Sequence, residues 1–497
     1  MKLSDILQDV KVKSVQGPLD RMIRALRYDS RRVEANDVFF AWKGVKTDGH
    51  QYIAEVCDKG VAAVVLENPN FAIGRGSTFI EVESARRTMA TMSAAFFGRP
   101  DRALKMVGVT GTNGKTTTTF ILKHLLTEPK IPVGLIGTVR YEIGERILPA
   151  ARTTPESLDL HSLLSQMKVG GCRTTVMEVS SHALEQGRVE PIEFQVGIFT
   201  NLTQDHLDYH ESMENYFTAK AILFTNLDRE NNPGVAVINA DDAYGVRLMK
   251  LLATSHVRVI SYTLQGMAEA DVAAYDVVST ANGTEGTLCI GNETYAFTLP
   301  LIGSYNVANA LAAVGGALAL GIAPHVIVER LKDTPQVPGR LEKFVSTDGV
   351  TVAVDYAHTD DAVRKALTVL RGITQGRLIA VLGCGGNRDA VKRPLMAFAA
   401  AECADYSIFT ADNPRNENVE LILNHMEAGV ADERFRGRYE RLTDRRQAIA
   451  HALALARPGD VVCILGKGHE TTQEIAGQFH PFDDRLVAQE FLQRRAA

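Results

Sequence analysis

Gly108-Val-Thr-Gly-Thr-Asn-Gly-Lys-Thr-Thr117 is the stretch that decides how this chain is read. The apolar run from Leu104 to Val109 reads as a buried strand, and Thr116 to Leu126 reads as a helix. Between them, Gly111 and Gly114 let the backbone turn tightly enough to aim N–H groups at phosphate oxygens, and the helix N-terminus adds a favourable dipole. Lys115 is then the cation for the β- and γ-phosphates, and Thr116 the hydroxyl for Mg²⁺. The spacing matches the closing half of the G-x-x-x-x-G-K-[ST] pattern, with Gly108 six residues before Gly114. A nucleoside triphosphate site is the expectation. The bland alternative is a strand-turn-helix with a chance Gly-Lys-Thr.

The chain's 497 residues exceed what one hydrophobic core supports. A length prior of about 150 residues per domain gives three domains. The turn Gly98-Arg-Pro-Asp101 and the segment Lys332-Asp-Thr-Pro-Gln-Val-Pro-Gly-Arg340 are the natural breaks, so the expected domains are 1–98, 99–335 and 336–497. In the middle domain, Met106–Thr110, Val133–Thr138, Thr175–Val179, Val196–Thr200, Val235–Asn239 and Val257–Tyr262 alternate with helical patterns, which predicts a mainly parallel α/β sheet. Residues 270–300 alternate apolar with polar side chains around Asn282-Gly and Gly291-Asn, which predicts appended hairpins. Val352–Tyr356, Leu378–Leu382, Tyr406–Thr410 and Val461–Leu465 predict a second doubly wound α/β domain.

Apolar residues at 45% and charged residues at 23% are ordinary for a globular chain, and a net charge of −5 argues against coating nucleic acid. Small-molecule partners are expected instead. Six scattered cysteines without a C-x-x-C pair fit reduced thiols rather than a disulfide or zinc framework. The first ten residues lack the apolar core of a signal peptide, which predicts a cytoplasmic protein. The run Ala310 to Pro324 falls short of the roughly 18 residues a membrane span needs, so a buried helix and no membrane insertion are expected.

Two strand ends carry further chemistry. Thr174-Thr-Val-Met-Glu-Val-Ser-Ser-His182 ends in a carboxylate, two hydroxyls and an imidazole, where α/β sheets place their ligands. Apolar Val176, Met177 and Val179 point to burial of Glu178, and a buried carboxylate wants a cation, here Mg²⁺. The next strand ends Phe199-Thr-Asn-Leu-Thr-Gln-Asp-His-Leu-Asp-Tyr-His210, where Asp205 or His206 could add a second metal ligand.

Taken together, Gly108–Thr117, Glu178–His182, Asn201–His206, Asn306–Asn309, Gly339-Arg340 and Asp355-Tyr-Ala-His358 resemble the Mur ligases over essentially the whole chain. These are ATP-dependent amide-forming enzymes of peptidoglycan precursor synthesis. Tyr28-Asp-Ser-Arg31, Thr153-Thr-Pro155, Gln186-Gly-Arg188, Asp412-Asn-Pro-Arg415 and Gly466-Lys-Gly-His-Glu470 resemble the members that add the third residue of the stem peptide. The resemblance implies a P-loop-type, mainly parallel central sheet, an N-terminal α/β domain binding UDP and a C-terminal Rossmann-like domain. It implies that ATP activates the D-glutamate γ-carboxylate of UDP-MurNAc-L-Ala-D-Glu as an acyl phosphate, which the amine of meso-diaminopimelate attacks. L-lysine or another diamino acid is the alternative acceptor. A folylpolyglutamate synthase-like or cyanophycin-type ligase, or a P-loop ATPase indifferent to amino acids, are more distant alternatives.

By the same resemblance Gly111, Thr112, Asn113, Gly114, Lys115, Thr116 and Thr117, with Asn306, Asn309, Arg340, Asp355 and His358, bind ATP. Lys115, Glu178, His206 and Lys220 are implied as catalytic, with two Mg²⁺ ions held by Thr116, Glu178, His206 and Lys220. Lys220 is implied to be carbamylated; read alone it is a surface helix lysine. Tyr28, Ser30, Val45, Lys46 and Thr47 are implied to hold UDP, and Thr153, Thr154, Ser180, Gln186 and Arg188 the muramoyl dipeptide. Arg388, Asp412, Asn413, Pro414, Arg415, Gly466 and Glu470 are implied to hold the amino acid. An arginine at 415 suits the distal carboxylate of diaminopimelate, which lysine lacks. A monomer is expected. One departure stands out: Asp360 follows Asp355-Tyr-Ala-His-Thr359, where the family commonly has proline.

Overall fold

The computed structural model describes residues 1–44, 47–72, 76–266, 270–280 and 282–495. The chain divides into two units, one of residues 1–272 with 312–323, the other of 273–311 with 324–497.

The first unit opens with a small sheet ordered Val12–Gln16, Thr78–Val82, Ala63–Leu66, Val38–Ala41 and Leu26–Arg27, parallel except for its first pair. Its strands Val38–Ala41 and Ala63–Leu66 are buried at every position, as a parallel sheet covered on both faces requires. The helix Ala85–Phe96 follows the sheet, capped by Ser84, whose side chain accepts from Arg87 N.

The larger sheet of this unit runs Arg258–Thr263, Val235–Asn239, Phe194–Phe199, Lys105–Thr110, Thr174–Glu178, Val133–Ile136, Arg140–Ile143 and Arg146–Pro149. The first six are parallel and the last two fold back as an antiparallel hairpin. That hairpin was not expected from sequence, because Arg146-Ile-Leu-Pro149 is largely exposed and lacks alternation. Lys105–Thr110 lies between Phe194–Phe199 and Thr174–Glu178, so the three polar strand ends singled out in the sequence emerge side by side. Met106, Val107 and Val109 are wholly buried there.

In the second unit, Gly283–Ile290 and Glu293–Leu299 form the expected antiparallel hairpin. A six-stranded sheet follows, ordered Glu342–Val345, Thr351–Asp355, Val461–Leu465, Leu378–Cys384, Tyr406–Ala411 and Tyr439–Arg441, parallel after its first strand. The carboxyl ends of its four central strands lead into Tyr356–Thr359, Gly466–Glu470, Gly385–Asp389 and Asp412–Arg415. The buried helix expected over 310–324 is two helices, Ser304–Ala319 and Pro324–Leu331, since proline suits the first turn of a new helix. No helix among the described residues is long and apolar enough to cross a membrane.

Candidate functional site

At the head of the Lys105–Thr110 strand the backbone enters the loop through Gly111 at φ 149° and leaves it through Gly114 at φ 85°. A Cβ on Gly111 would fall 1.9 Å from the Thr200 hydroxyl, so only glycine lets the loop lie against the neighbouring strand end. The Lys115–Leu126 helix starts at once, which directs its unsatisfied N–H groups toward the loop. Asn201 braces the loop, its carbonyl accepting from Thr112 N at 2.9 Å and its side chain from Asn113 N at 3.0 Å. Lys115 Nζ curls back to donate to the carbonyls of Gly111 (2.9 Å) and Thr112 (2.8 Å).

Glu178 is 1% exposed, and its carboxylate accepts from the Thr116 hydroxyl at 3.0 Å, the Thr138 N–H at 2.8 Å and the Thr138 hydroxyl at 3.1 Å. Among the described residues it pairs with no cationic side chain. A buried carboxylate held only by neutral donors, beside the first hydroxyl of a phosphate loop, suits one Mg²⁺ completed by water and phosphate oxygens. No three His, Cys, Asp or Glu side chains among the described residues gather into a metal cage. The second set differs. His206 lies half exposed at φ 53°, its ring 5.1 Å from His182 and 6.1 Å from Tyr216. Burial lowers the basicity of His206, and takes His182 down to about 4. Asp205 Oδ2 lies 3.6 Å from His206 Nε2, so Asp205 offers an anion for a second Mg²⁺, which an unmodified Lys220 does not.

Lys220 is not the surface lysine that its helix position alone suggests. The Met213–Thr225 helix is buried nearly all round, through Tyr216, Phe217, Ala219, Ala221, Leu223 and Phe224, and Lys220 is 1% exposed among them. Its Nζ donates to Gly111 O at 2.9 Å and sits 4.5 Å over the Tyr216 ring. Burial, with the charge of Lys115 second, holds its pKa well below the ordinary lysine value. The Tyr216 hydroxyl, 3.2 Å from the Thr112 hydroxyl, is pushed up to about 12 by its own burial.

On the neighbouring wall, Thr154 donates to Glu178 O (2.9 Å) and accepts from Ser180 N (3.0 Å), while the Thr153 hydroxyl lies 2.9 Å from that of Thr138. Arg188 donates to Thr154 O (2.9 Å) and, twice, to Gln186 Oε1. Tyr28 reaches Asp159 at 2.5 Å, and burial raises its phenol's pKa. Ser30 is buried at the start of a short helical turn and Thr47 is exposed. Val45 and Lys46 lie outside the described residues. Thr154, Ser180, Gln186 and Arg188 are thus joined to Glu178 and Thr116 in one hydrogen-bonded set.

In the second unit, Asn309 Nδ2 donates to Asn306 Oδ1 at 3.3 Å, one turn apart on one helix. Arg340 lies over the Tyr356 ring at 4.9 Å, and Asp355 accepts from Leu341 N and Ala357 N at 2.8 Å each. Burial raises the Asp355 pKa, and Arg340 opposes it. His358 is exposed, its Nδ1 3.0 Å from Tyr356 O. Thr359 caps the next helix by accepting from Ala362 N, and Asp360 occupies the first turn, where a negative charge is favoured. The replacement of proline therefore leaves the turn intact.

The residues expected to hold the amino acid also come together. Arg415 sits at φ 54° and pairs with Glu474 through Nε (3.1 Å) and with Gly386 O through Nη1 (2.8 Å), leaving Nη2 without a partner among the described residues. A Cβ on Gly385 would lie 3.1 Å from Arg415 Nη1 and 3.7 Å from Arg388 Cγ, so both arginines border the same turn. Pro414 stiffens that strand end. Glu470 accepts from Asn413 Nδ2 at 2.7 Å, and a Cβ on Gly466 would meet Asp412 at 2.6 Å.

Sequence reasoning missed two supports here. Lys467, fully buried, binds Asn413 Oδ1, Glu470 Oε2 and Thr472 O within 3.0 Å. Arg445, buried with Asp484, donates to Ala411 O and Leu465 O and so ties together the two strands that lead into Asp412 and Gly466. Its place at the start of an ordinary amphipathic stretch gave no signal.

Three family models match successive parts of the chain. Residues 22–97 match the model of the Mur ligase family, catalytic domain; 109–317 match the Mur ligase middle domain; and 339–468 match the Mur ligase, glutamate ligase domain. A protein of Geobacter metallireducens named UDP-N-acetylmuramoyl-L-alanyl-D-glutamate--2,6-diaminopimelate ligase is 42% identical, over 98% of this chain and 97% of its own. One of that name from Geobacillus kaustophilus is 44% identical over 95% of each. A solved structure of a ligase with the same name covers 100% of this chain and 99% of its own at 31% identity, with a TM-score of 0.71. This chain belongs to the Mur ligase family and has its three-domain α/β fold.

Proposed function

We propose that this chain is an ATP-dependent ligase that joins meso-2,6-diaminopimelate to the D-glutamate γ-carboxylate of UDP-N-acetylmuramoyl-L-alanyl-D-glutamate, a cytoplasmic step of peptidoglycan precursor synthesis carried out by a monomer. Full-length identity of 42–44% with proteins of that name carries the reading. We propose its domains as 1–98 for UDP, 99–335 for ATP and 336–497 for the amino acid.

The reaction has to bring one anion, the γ-carboxylate, against another, the ATP γ-phosphate. Lys115 and the loop N–H groups hold the phosphates and offset that repulsion, in a geometry fixed by Gly111 and Asn201 before substrate arrives. Thr116 and Glu178 would hold a Mg²⁺, which supplies further charge neutralisation. Phosphoryl transfer gives an acyl phosphate and ADP; the acceptor amine adds to the acyl carbon, and phosphate leaves as the amide forms. Thr153, Thr154, Ser180, Gln186 and Arg188 keep the dipeptide in line, and Tyr28, Ser30, Val45, Lys46 and Thr47 hold UDP. Asn306, Asn309, Arg340, Asp355 and His358 serve the nucleotide. Arg415 uses its remaining donor edge for the distal carboxylate, and Glu470 takes an ammonium of the acceptor, with Arg388, Asp412, Asn413, Pro414 and Gly466 shaping the pocket.

The test is phosphate release by the purified protein with ATP, Mg²⁺ and the UDP-muramoyl dipeptide. Release should require meso-diaminopimelate and be weak with L-lysine. A preference for lysine would overturn the Arg415 assignment, and release that ignores amino acids would overturn the ligase reading.

A further inference from the structure

Glu156 occupies the cap position before the Ser157–Val169 helix, with its side chain 4% exposed. Its Oε1 lies 2.6 Å from Arg152, 3.2 Å from Arg188 and 3.7 Å from Arg86. Three positive charges thus share one negative charge; the Arg152 side chain reaches solvent, while Arg188 and much of Arg86 are enclosed with Glu156, where an uncompensated charge is costly. Two atoms there have unmet hydrogen-bonding capacity: Glu156 Oε2 and Arg86 Nε are buried without a partner. Arg86 also lies against an aromatic face, its guanidinium carbon 5.1 Å from the centre of the Trp42 ring. Surplus charge and an orphaned donor, on a guanidinium stacked against an aromatic ring, together describe a place for an anion with two oxygens.

We propose that Arg86, oriented by Glu156 and Trp42, is a further substrate-binding residue that works with Arg188 to hold the α-carboxylate of the D-glutamyl residue, the carboxylate that is not activated. This rests on the ligase reading above. The γ-carboxylate must keep an oxygen free to attack phosphorus, whereas the α-carboxylate stays anionic throughout and can be gripped without slowing the reaction.

Binding of UDP-MurNAc-L-Ala-D-Glu, measured by calorimetry, is compared with binding of the analogue whose α-carboxylate is a carboxamide, for the unchanged protein, Arg86→Gln and Arg86→Lys. Arg86→Gln should weaken the carboxylate ligand about 10- to 30-fold, with part of the loss recovered in Arg86→Lys. The unchanged protein should bind the amide with a similar deficit, and the amide should then be insensitive to either substitution within about twofold. Equal losses for both ligands would mean a scaffold role only and overturn the proposal. So would an Arg86→Gln protein that binds the carboxylate ligand normally. Should Arg86→Gln fail to fold, a selective loss in Arg86→Lys decides the question, and no loss overturns it. Failure of the unchanged protein to bind either ligand would remove the ligase reading and this one with it.

Discussion

Two lysines, one in each unit, are wholly enclosed by protein, and they have opposite surroundings. Lys467 is met by a carboxylate, an amide oxygen and a carbonyl, one acceptor for each of its three donors. Lys220 has one carbonyl and an aromatic face, shares that carbonyl with Lys115, and has no paired carboxylate among the described residues. The first arrangement is a fastener that joins Asn413, Glu470 and Thr472. The second leaves an amine with a depressed proton affinity beside the phosphate loop, the state in which nitrogen can take up CO₂. Burial alone does not tell these roles apart; the count of acceptors around the nitrogen does.

The contrast can be broken or sharpened by substitution. The largest effect should come from Lys115→Ala at the reactive end, which should lower turnover about 10³-fold or more while UDP-substrate binding stays within about twofold. Retained turnover in a phosphate-release assay would remove the loop from the mechanism. Next, Lys467→Met should strand Glu470 and Asn413 and destabilise the fold by about 3 kcal/mol, read as a lower denaturant midpoint. If it is as stable as the parent, the fastener description is wrong. Arg415→Ala should raise the KM for diaminopimelate about 30-fold and leave that for ATP unchanged, and equal shifts in both would move Arg415 out of the acceptor pocket.

The smallest effect concerns pH. In CO₂-free buffer Lys220→Met should be at least as stable as the parent near neutral pH, because the folded protein holds its amine below the ordinary value of 10.5. Between that depressed value and 10.5 the unfolded chain binds more protons, so the parent gains stability as pH rises, by at most about 1.4 kcal/mol per pH unit. The methionine variant lacks this gain. The stability gap between them should therefore narrow from pH 7 toward 10, and parallel curves would show that Lys220 is charged in the fold.

The tight turns at Gly111 and Gly114 were legible because a loop of this kind is built from consecutive residues. Glu178 was legible for a related reason, since apolar neighbours on a short strand announce burial. Glu156 was not, because its meaning lies in Arg86 and Arg188, which are brought to it only by the fold. Lys220 fell between these cases. Tyr216, Phe217, Leu223 and Phe224, three and four residues to either side, place Lys220 on the apolar face of its helix, a sign of burial that outweighs the usual exposure of lysine. The strand Arg146–Pro149 was missed because an edge hairpin carries little apolar pattern for a sequence to display.

His206 holds a left-handed backbone, at φ 53°, while its side chain is half in solvent. A glycine there would relieve strain of about 1 kcal/mol and give up little packing. Anyone breeding this protein for heat resistance would therefore find His206→Gly among the winners, and would be selecting a sturdier protein that had surrendered one of the side chains proposed for its chemistry.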